Sequence, residues 1–402
     1  MPGQSPFSMM HRPVQPARQP SGERRRRWRA AAAAVAIVIV LAVAWSWLWY
    51  EAAAVTDRTL AGWMQREAAA GRVYSCDTQT IGGYPLGIQA RCANIAAEIQ
   101  NTLPPYTVTA KAVTFAAEAY RPTRLVGDIS GPLTLAELGR PPSFAADWIR
   151  ARISVRGIPP DPEAVSVELD GPHLDRIRAA AAGGGEVLFA AGHADVQGRL
   201  VAGSPRRQPV IEMVLHLAEA TVPTLHPLFA APVDVELDAE LRGLKDLAPK
   251  RWADRLREMR EAGGSIEIKS LRFAQAGAVV VGSGALSVDE DGKLDGLVRV
   301  AIVGIEHIVP LLGIDRLIEQ GIDQLSGTDG AAAQGMGALD RLMPRLSGAI
   351  RQTVNAGVVE NLKKMGEPTT INDQPAVVLP LRFSAGSIYL GMLRVGQAPR
   401  LF

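Results

Sequence analysis

The chain has 402 residues, of which 43 are basic and 41 acidic, giving a formal net charge of +2. Seven basic residues and one acidic residue lie in the first 29 positions, so the remainder carries 36 basic and 40 acidic residues and a net charge of −4. Nucleic-acid binding requires positive charge that neutralises phosphates. This mildly acidic remainder, with only 5% aromatic residues in the whole chain, excludes that class of function.

An uncharged apolar segment follows the basic N-terminus. Residues 30–50 contain no charged side chain, and about 20 apolar residues in a helix span the roughly 30 Å hydrocarbon core. Arginines precede the segment, and aromatic residues, which favour the membrane–water interface, end it. The residues predicted at the membrane interface are Arg24, Arg25, Arg26, Arg27, Trp45, Trp47, Trp49 and Tyr50. The sequence predicts a single-pass anchor in the inner (cytoplasmic) membrane, with a cytoplasmic N-terminus and a periplasmic C-terminal domain.

A cleaved signal peptide is the alternative for this segment. Its apolar core would be about 7–15 residues long and would precede a small-x-small cleavage site. The run over 30–50 is longer and ends in bulky aromatics, although residues 52–54 offer a weak cleavage site. We therefore prefer the anchor. It separates a disordered basic cytoplasmic tail, 1–29, from a helical stalk, 51–71, that Gly71 closes.

Two cysteines, Cys76 and Cys92, follow the stalk. Paired thiols persist as disulfides in an oxidising compartment, and their separation is compatible with neighbouring strands of one hairpin, so we predict a disulfide. A buried thiol pair and half of a metal site are the alternatives, and no CxxC motif or histidine cluster supports the metal site. Between the cysteines, Gly83, Tyr84 and Pro85 predict a tight turn.

From residue 72 onward, apolar and polar residues alternate. The clearest case is VDVELDAEL, 233–241, in which four acidic residues alternate with apolar ones. Segments 164–169, 211–217, 265–273 and 379–383 share the pattern, which slips near Ser270 and predicts a bulge there. Turn pairs separate the strands: Gly131-Pro132, Gly171-Pro172, Asp291-Gly292 and Ala385-Gly386. The alternation predicts an antiparallel sheet with one solvated face.

Two helical insertions are predicted, at about 249–263 and 306–364. In the first, Trp252, Leu256 and Met259 line one side. The predicted fold class is α+β: a single N-terminal transmembrane helix followed by an extended, twisted, mostly antiparallel β-sheet domain, 72–402, with helices packed on one face or end.

The sequence supplies no catalytic, cofactor-binding or metal-binding residues that we would assign. Six histidines lack the HExxH spacing, and Ser283 lacks the Gly-x-Ser-x-Gly context. Glycines 183–185 lack the lysine of a phosphate-binding loop. The acidic residues of 233–241 lie on one strand, which cannot wrap a calcium ion, so we interpret them as a solvated edge that deters aggregation. We therefore predict a protein that is not an enzyme and has no cofactor.

Both ends of the chain carry a family resemblance. GGYPLGIQARC (82–92) and SAGSIYLGMLRVGQAPRLF (384–402) resemble the domain of unknown function 2125 family of bacterial envelope proteins. Gly83, Tyr84, Pro85 and Cys92 occupy the family's turn and strand positions, whereas Gly87 replaces a bulkier residue. The resemblance implies an architecture similar to AsmA-like envelope proteins, whose sheet is thought to hold or pass lipid. This is an analogy of fold, which does not by itself establish function.

Three functions follow as hypotheses. The first is a non-catalytic, inner-membrane-anchored periplasmic protein of the cell envelope that binds lipid or another hydrophobic ligand on an apolar sheet face. The second is a structural or assembly factor that binds envelope proteins. The third is a hydrolase with an unrecognised site, which a buried cluster of perturbed ionisable groups would support.

Overall fold

The structure is a computed structural model that describes residues 21–158, 161–177, 185–248, 250–309, 356–398 and 400–401. The chain divides into two compact units, Met1–Arg58 and Thr59–Phe402. One helix, α1 (Ser21–Ala69), supplies the described part of the first unit and the first residues of the second.

Helix α1 contains the predicted membrane segment. The stretch Arg25–Ala69 includes a window of mean hydropathy 2.4 and is long and apolar enough to cross a membrane. The predicted tail, 1–29, overlaps this helix, and its residues 1–20 lie outside the described residues. The predicted stalk continues α1 as far as Ala69, and Gly71 adopts φ +79°, a left-handed conformation common just after a helix.

The described residues form twenty strands, all in the second unit. The first ten are β1 (Arg72–Ser75), β2 (Thr78–Gly82), β3 (Gly87–Ile99), β4 (Tyr106–Glu118), β5 (Arg121–Glu137), β6 (Pro142–Asp147), β7 (Arg150–Ile158), β8 (Asp161–Asp170), β9 (His173–Arg176) and β10 (Glu186–Ala190). The other ten are β11 (His193–Ser204), β12 (Arg207–Ala220), β13 (Val233–Leu241), β14 (Ile266–Gln275), β15 (Ala278–Val288), β16 (Leu294–Val303), β17 (Glu367–Ile371), β18 (Gln374–Ser384), β19 (Ser387–Leu390) and β20 (Leu393–Gln397).

Twelve of these strands form one antiparallel path. Their order across the sheet is β3, β4, β5, β7, β8, β11, β12, β13, β14, β15, β16 and β18. At one edge β1 and β2 pair end to end with β3, and at the other β17 and β19 pair with β18. A branch of β6, β9 and β10 leaves the second half of β5. The predicted α+β fold with a large antiparallel sheet is confirmed.

The predicted strand segments coincide with observed strands to within one residue, but two predictions about position are wrong. The register shift between Ile268 and Leu271 confirms the bulge near Ser270. The pair Gly131-Pro132, however, lies inside β5, at the point where its first half pairs with β7 and its second half with β6. Strand β13 has the predicted bounds but is interior, since it pairs with both β12 and β14. The interpretation of its acidic residues as an edge is therefore wrong.

One face of the twelve-strand path is apolar across its whole width. Because side chains alternate between faces along a strand, residues in register on neighbouring strands share a face. One such row consists of Ala90, Phe115, Gly127, Ile153, Val167, Val196, Leu215, Leu237, Leu271, Gly282, Val300 and Leu379. We call this side the apolar face and the opposite side the polar face.

Helices cover the apolar face on β12 to β18, which we call the covered region. The short helix α3 (Ile305–Ile308) and the helix at 356–365 pack against the apolar face at Val298, Val300 and Leu379. Helix α2 (Trp252–Glu261) packs Leu256 and Met259 against neighbouring positions of the same face. The predicted helices at 310–355 lie outside the described residues.

Trp252 does not join Leu256 and Met259. Its side chain is 61% exposed, whereas theirs are buried, so the prediction that it lines the apolar side of α2 is wrong. Trp252 is the first residue of the helix, one turn before Leu256.

A 3-10 helix, Pro227–Ala230, completes the covered region. Phe229 packs edge-on against Phe273 at 6.2 Å between ring centroids. The buried amide of Gln275 donates hydrogen bonds to the carbonyl oxygens of Leu228 at 2.7 Å and Ala231 at 3.1 Å. These two bonds tie the 3-10 helix to β14.

Candidate functional site

The predicted membrane-interface residues all lie on α1. The side chains of Arg25, Arg26 and Arg27 are exposed, and the backbone of Arg24 precedes them in the same helix. At the other end of the apolar segment, Trp45, Trp47 and Tyr50 are also exposed, while Trp49 contacts the Tyr50 ring edge-on at 5.4 Å. The helix thus presents aromatic rings outward where the apolar run ends.

Cys76 and Cys92 are joined by a disulfide, with their Cα atoms 5.6 Å apart. Cys76 lies between β1 and β2, and Cys92 lies in the adjacent strand β3, beside Gln79 of β2. The structure therefore supports the predicted disulfide. It links the segment between β1 and β2, at the edge of the sheet, to β3.

The turn motif connects β2 to β3. Gly83 adopts φ +97°, and a Cβ there would lie 2.9 Å from the carbonyl oxygen of Gly87, so only glycine fits without strain. The Gly87 amide donates to the Gly83 carbonyl oxygen at 3.0 Å, which closes the turn around Tyr84 and Pro85. Tyr84 is 53% exposed.

The apolar face is exposed on strands β4, β5, β8 and β11, in what we call the open region. Phe115, Leu125, Val165 and Val196 retain exposed fractions of 38%, 36%, 38% and 37%. In the covered region, Val298, Val300 and Leu379 retain 2%, 2% and 0%. Isolated exposed apolar residues are ordinary, but a contiguous apolar surface is typical of binding sites. The register places these four residues in two adjacent rows of neighbouring strands.

A small residue shapes each side of the open region. The ring of Phe115 lies over Gly127, where an added Cβ would be 2.7 Å from the ring. At Gly198 an added Cβ would meet only Ile211, at 4.0 Å, so the face is indented there, next to Val165 and Met213. The open region is therefore an uneven apolar surface with a ridge at Phe115 and a depression at Gly198.

The polar face carries charged side chains in ion-paired groups. Lys269 lies 2.7 Å from Glu212 and 3.3 Å from Glu240, and Arg242 lies 2.7 Å from Glu240. The hydrogen bond from Lys269, followed by that from Arg199, lowers the pKa of Glu212. The positive charges of Lys269 and Arg242 thus neutralise Glu212 and Glu240. This explains how interior strands can carry acidic residues.

A histidine and two carboxylates also meet on this face. One ligand atom each from Glu168, Asp170 and His193 lies within 4.8 Å of the others. Both oxygens of Asp170 already accept hydrogen bonds, one from Arg150 at 2.8 Å and the other shared with His193 at 2.9 Å. These contacts lower the pKa of Asp170, the His193 contact most. An ion-pair network joining three strands accounts for this geometry without a metal.

Two cavities open on the polar face. One, of about 520 Å³, borders the bulge at Ser270, and two of its three cations, Lys269 and Arg272, are paired with glutamates. The other has a volume of about 400 Å³ and is lined by Arg124, Ser154, Arg156, Ala164, Val165, Ser166, Gln197, Gly198, Arg199, Glu212 and Val214. Sequence reasoning did not identify this second cavity, because it depends on the register of five strands.

The motifs examined for catalysis take structural positions. Ser283 lies in β15 opposite Arg299. Gly282 and Gly284 pack against the backbone of β16, where side chains would clash with the carbonyl oxygens of Arg299 and Leu297. His216 is exposed on the polar face, 6.0 Å from the ring of His193. No nucleophile–base pair involving these residues is formed in the described part of the chain.

Comparison with known proteins identifies a family. A family model described as "uncharacterized protein conserved in bacteria (DUF2125)" matches residues 49–399, which is most of the chain. A search of curated proteins finds no match. The match includes the disulfide, the turn motif and every strand of the sheet. This chain therefore belongs to the DUF2125 family of bacterial proteins.

Proposed function

We propose that the protein is a non-catalytic, inner-membrane-anchored protein of the bacterial cell envelope that holds lipid acyl chains on the open region of its sheet. Residues 1–29 lie in the cytoplasm, 30–50 span the membrane, 51–71 form a stalk, and the sheet domain lies in the periplasm. The orientation is supported by arginines on one side of the apolar segment and aromatic rings on the other. The disulfide is consistent with an oxidising compartment.

One observation carries the lipid proposal: the contrast between the two regions of the apolar face. The same row that forms a closed core at Val300 and Leu379 remains exposed at Phe115 and Val196. Exposing apolar surface costs about 25 cal/mol per Å² relative to burial, so an occupant of apolar chemistry stabilises this surface. The chain's own apolar helix would keep the sheet beside a membrane, where acyl chains are the most abundant apolar partner.

The alternative occupant of the open region is an envelope protein. A protein interface is more often rimmed by charged and polar residues that pair with a partner. The cross-strand neighbours of Val165 are Val155 and Gly198, and those of Val196 are Val167 and Leu215. They offer only aliphatic side chains and backbone. This composition favours a flexible acyl chain over a protein partner that requires polar complementarity.

Lipid content of the purified full-length chain tests this function. We expect the double variant Val165→Asp with Val196→Asp to copurify with fewer lipids than wild type, by mass spectrometry in a neutral detergent. Leu297→Asp is the matched control, because Leu297 is 45% exposed on the polar face. The anchor helix retains its lipids in all three proteins, so any difference in lipid content among them comes from the sheet. Equal lipid content in all three would overturn the proposal.

A further inference from the structure

Two arginines face each other in the 400 Å³ cavity, and no described residue offers either of them an acidic partner. Arg124 of β5 lies directly opposite Arg156 of β7 in the register. Residues directly opposite have Cβ atoms about 4.5–5.5 Å apart, and like charges there are destabilising. Within the described residues, neither guanidinium has a carboxylate within 4.0 Å, whereas Arg152 of the same strand pairs with Asp128 at 3.3 Å.

The rest of the cavity supplies hydrogen-bond donors and no free acid. Ser154 and Ser166 lie opposite each other in the adjacent row, followed by Gln197. Arg199 is already hydrogen-bonded to Glu212, the cavity's carboxylate, which Lys269 also contacts.

The negative charge of Glu212 lies far from the arginine pair. Three strand spacings of about 4.8 Å separate Arg156 from Glu212, roughly 14 Å, which exceeds the Debye length of about 8 Å at physiological ionic strength. The end of the cavity at β5 and β7 therefore has a positive potential that Glu212 does not cancel.

We propose that this cavity binds a phosphate group between Arg124 and Arg156. Guanidinium groups bind phosphate oxygens through paired N–H donors, and a phosphate carries enough charge and acceptors to engage both. Ser154 and Ser166 donate to the remaining oxygens. The phosphate comes from a soluble molecule or from a phospholipid headgroup. The side chains of Arg124, Ser154, Arg156 and Ser166 lie on the polar face, whereas the side chains of the proposed acyl-chain surface lie on the apolar face.

Phosphate-dependent stability of the full-length chain in neutral detergent tests the site. A ligand that binds the folded state raises the unfolding midpoint with concentration. We expect inorganic phosphate, titrated at constant ionic strength, to raise the wild-type midpoint. The double variant Arg124→Gln with Arg156→Gln should bind at least about tenfold more weakly, since each lost charge-assisted bond is a strong one. It should also have a higher midpoint without phosphate, because the repulsion is removed.

Arg152→Gln is the matched control, since it removes the same charge from the same face of β7. It should respond to phosphate as wild type does. The single variant Arg124→Gln gives an independent reading should the double variant fold poorly. An unchanged response in the double variant, or an equal loss in Arg152→Gln, would overturn the proposal.

A second arm identifies the source of the phosphate. Micelles are doped with phosphatidylglycerol or, as the uncharged control, with diacylglycerol of the same chain length. Stabilisation that depends on Arg124 and Arg156 and occurs with inorganic phosphate supports a soluble ligand. Stabilisation that occurs only with phosphatidylglycerol supports a headgroup. Its absence from both arms would overturn the site.

Discussion

The covered and open regions of the apolar face share one sequence pattern and differ in what packs against it. On β16 and β18, helices bury Val298, Val300 and Leu379 completely. On β8 and β11, Val165 and Val196 keep more than a third of their surface exposed. Period-two alternation determines which face is apolar; it does not determine whether that face is a core or a binding surface. That distinction depends on the covering layer.

Large-to-small substitution should separate the two regions most strongly. Leu379→Ala removes a fully buried side chain, and such changes cost about 2–5 kcal/mol because a cavity remains. Val196→Ala in the open region should cost less than about 1 kcal/mol, since surface substitutions have small effects. Urea unfolding of the full-length chain measures both. Equal losses would show that the open region is a closed core and would remove the contrast.

The disulfide should contribute a large effect at the edge beside the open region. Replacing Cys76 and Cys92 by serine opens a loop that is closed over sixteen positions. The chain-entropy model gives about 3 kcal/mol for a loop of that size. The unfolding midpoints of wild type, with and without reductant, and of the double variant measure the effect. No change on reduction would show that the bond does not stabilise this edge.

Removing the two hydrogen bonds that Gln275 donates to the 3-10 helix should have a smaller effect and should expose part of the covered region. Gln275→Ala leaves the carbonyl oxygens of Leu228 and Ala231 without their donor. Loss of buried hydrogen bonds costs about 1–3 kcal/mol, and Phe229 should become more accessible. Hydrogen exchange at 227–230 and the unfolding midpoint report the change. Exchange at 227–230 as slow as in wild type would contradict the role of Gln275 in holding the 3-10 helix.

The smallest effect concerns acid stability of the polar face behind the open region. The pKa of Asp170 is lowered from its ordinary value of 3.8, chiefly by His193 and then by Arg150. A lowered folded-state pKa contributes stability above 3.8 that is lost as pH falls through the lower folded value. Asp170→Asn should therefore flatten the acid limb of the stability profile. An acid limb identical to wild type would contradict this contribution.

Much of the fold could be predicted from local pattern. The strand Val233–Leu241 and the bulge near Ser270 follow from alternation and its interruption. The position of Gly131-Pro132 could not be predicted, because glycine and proline usually mark turns, whereas here they lie where β5 changes partners.

The candidate sites were less accessible to sequence reasoning, because they depend on pairing between distant strands. Arg124 and Arg156 are opposed only through the β5–β7 register. The interior position of the acidic residues of β13 could not be predicted, because their cationic partners, Lys269 and Arg272, lie on the next strand and the sequence does not show that pairing. The disulfide was predictable because the chain holds two cysteines, which lie only sixteen positions apart.

Site-specific photo-crosslinking in living cells tests the difference between the two regions most directly. A photoreactive amino acid placed at Val196, in the open region, should yield a lipid adduct detectable by mass spectrometry. The same amino acid placed at Leu297, which lies on the polar face and is 45% exposed against 37% for Val196, should yield none. An adduct at Val196 to a peptide of this chain or of another protein, with no lipid adduct, would contradict the account.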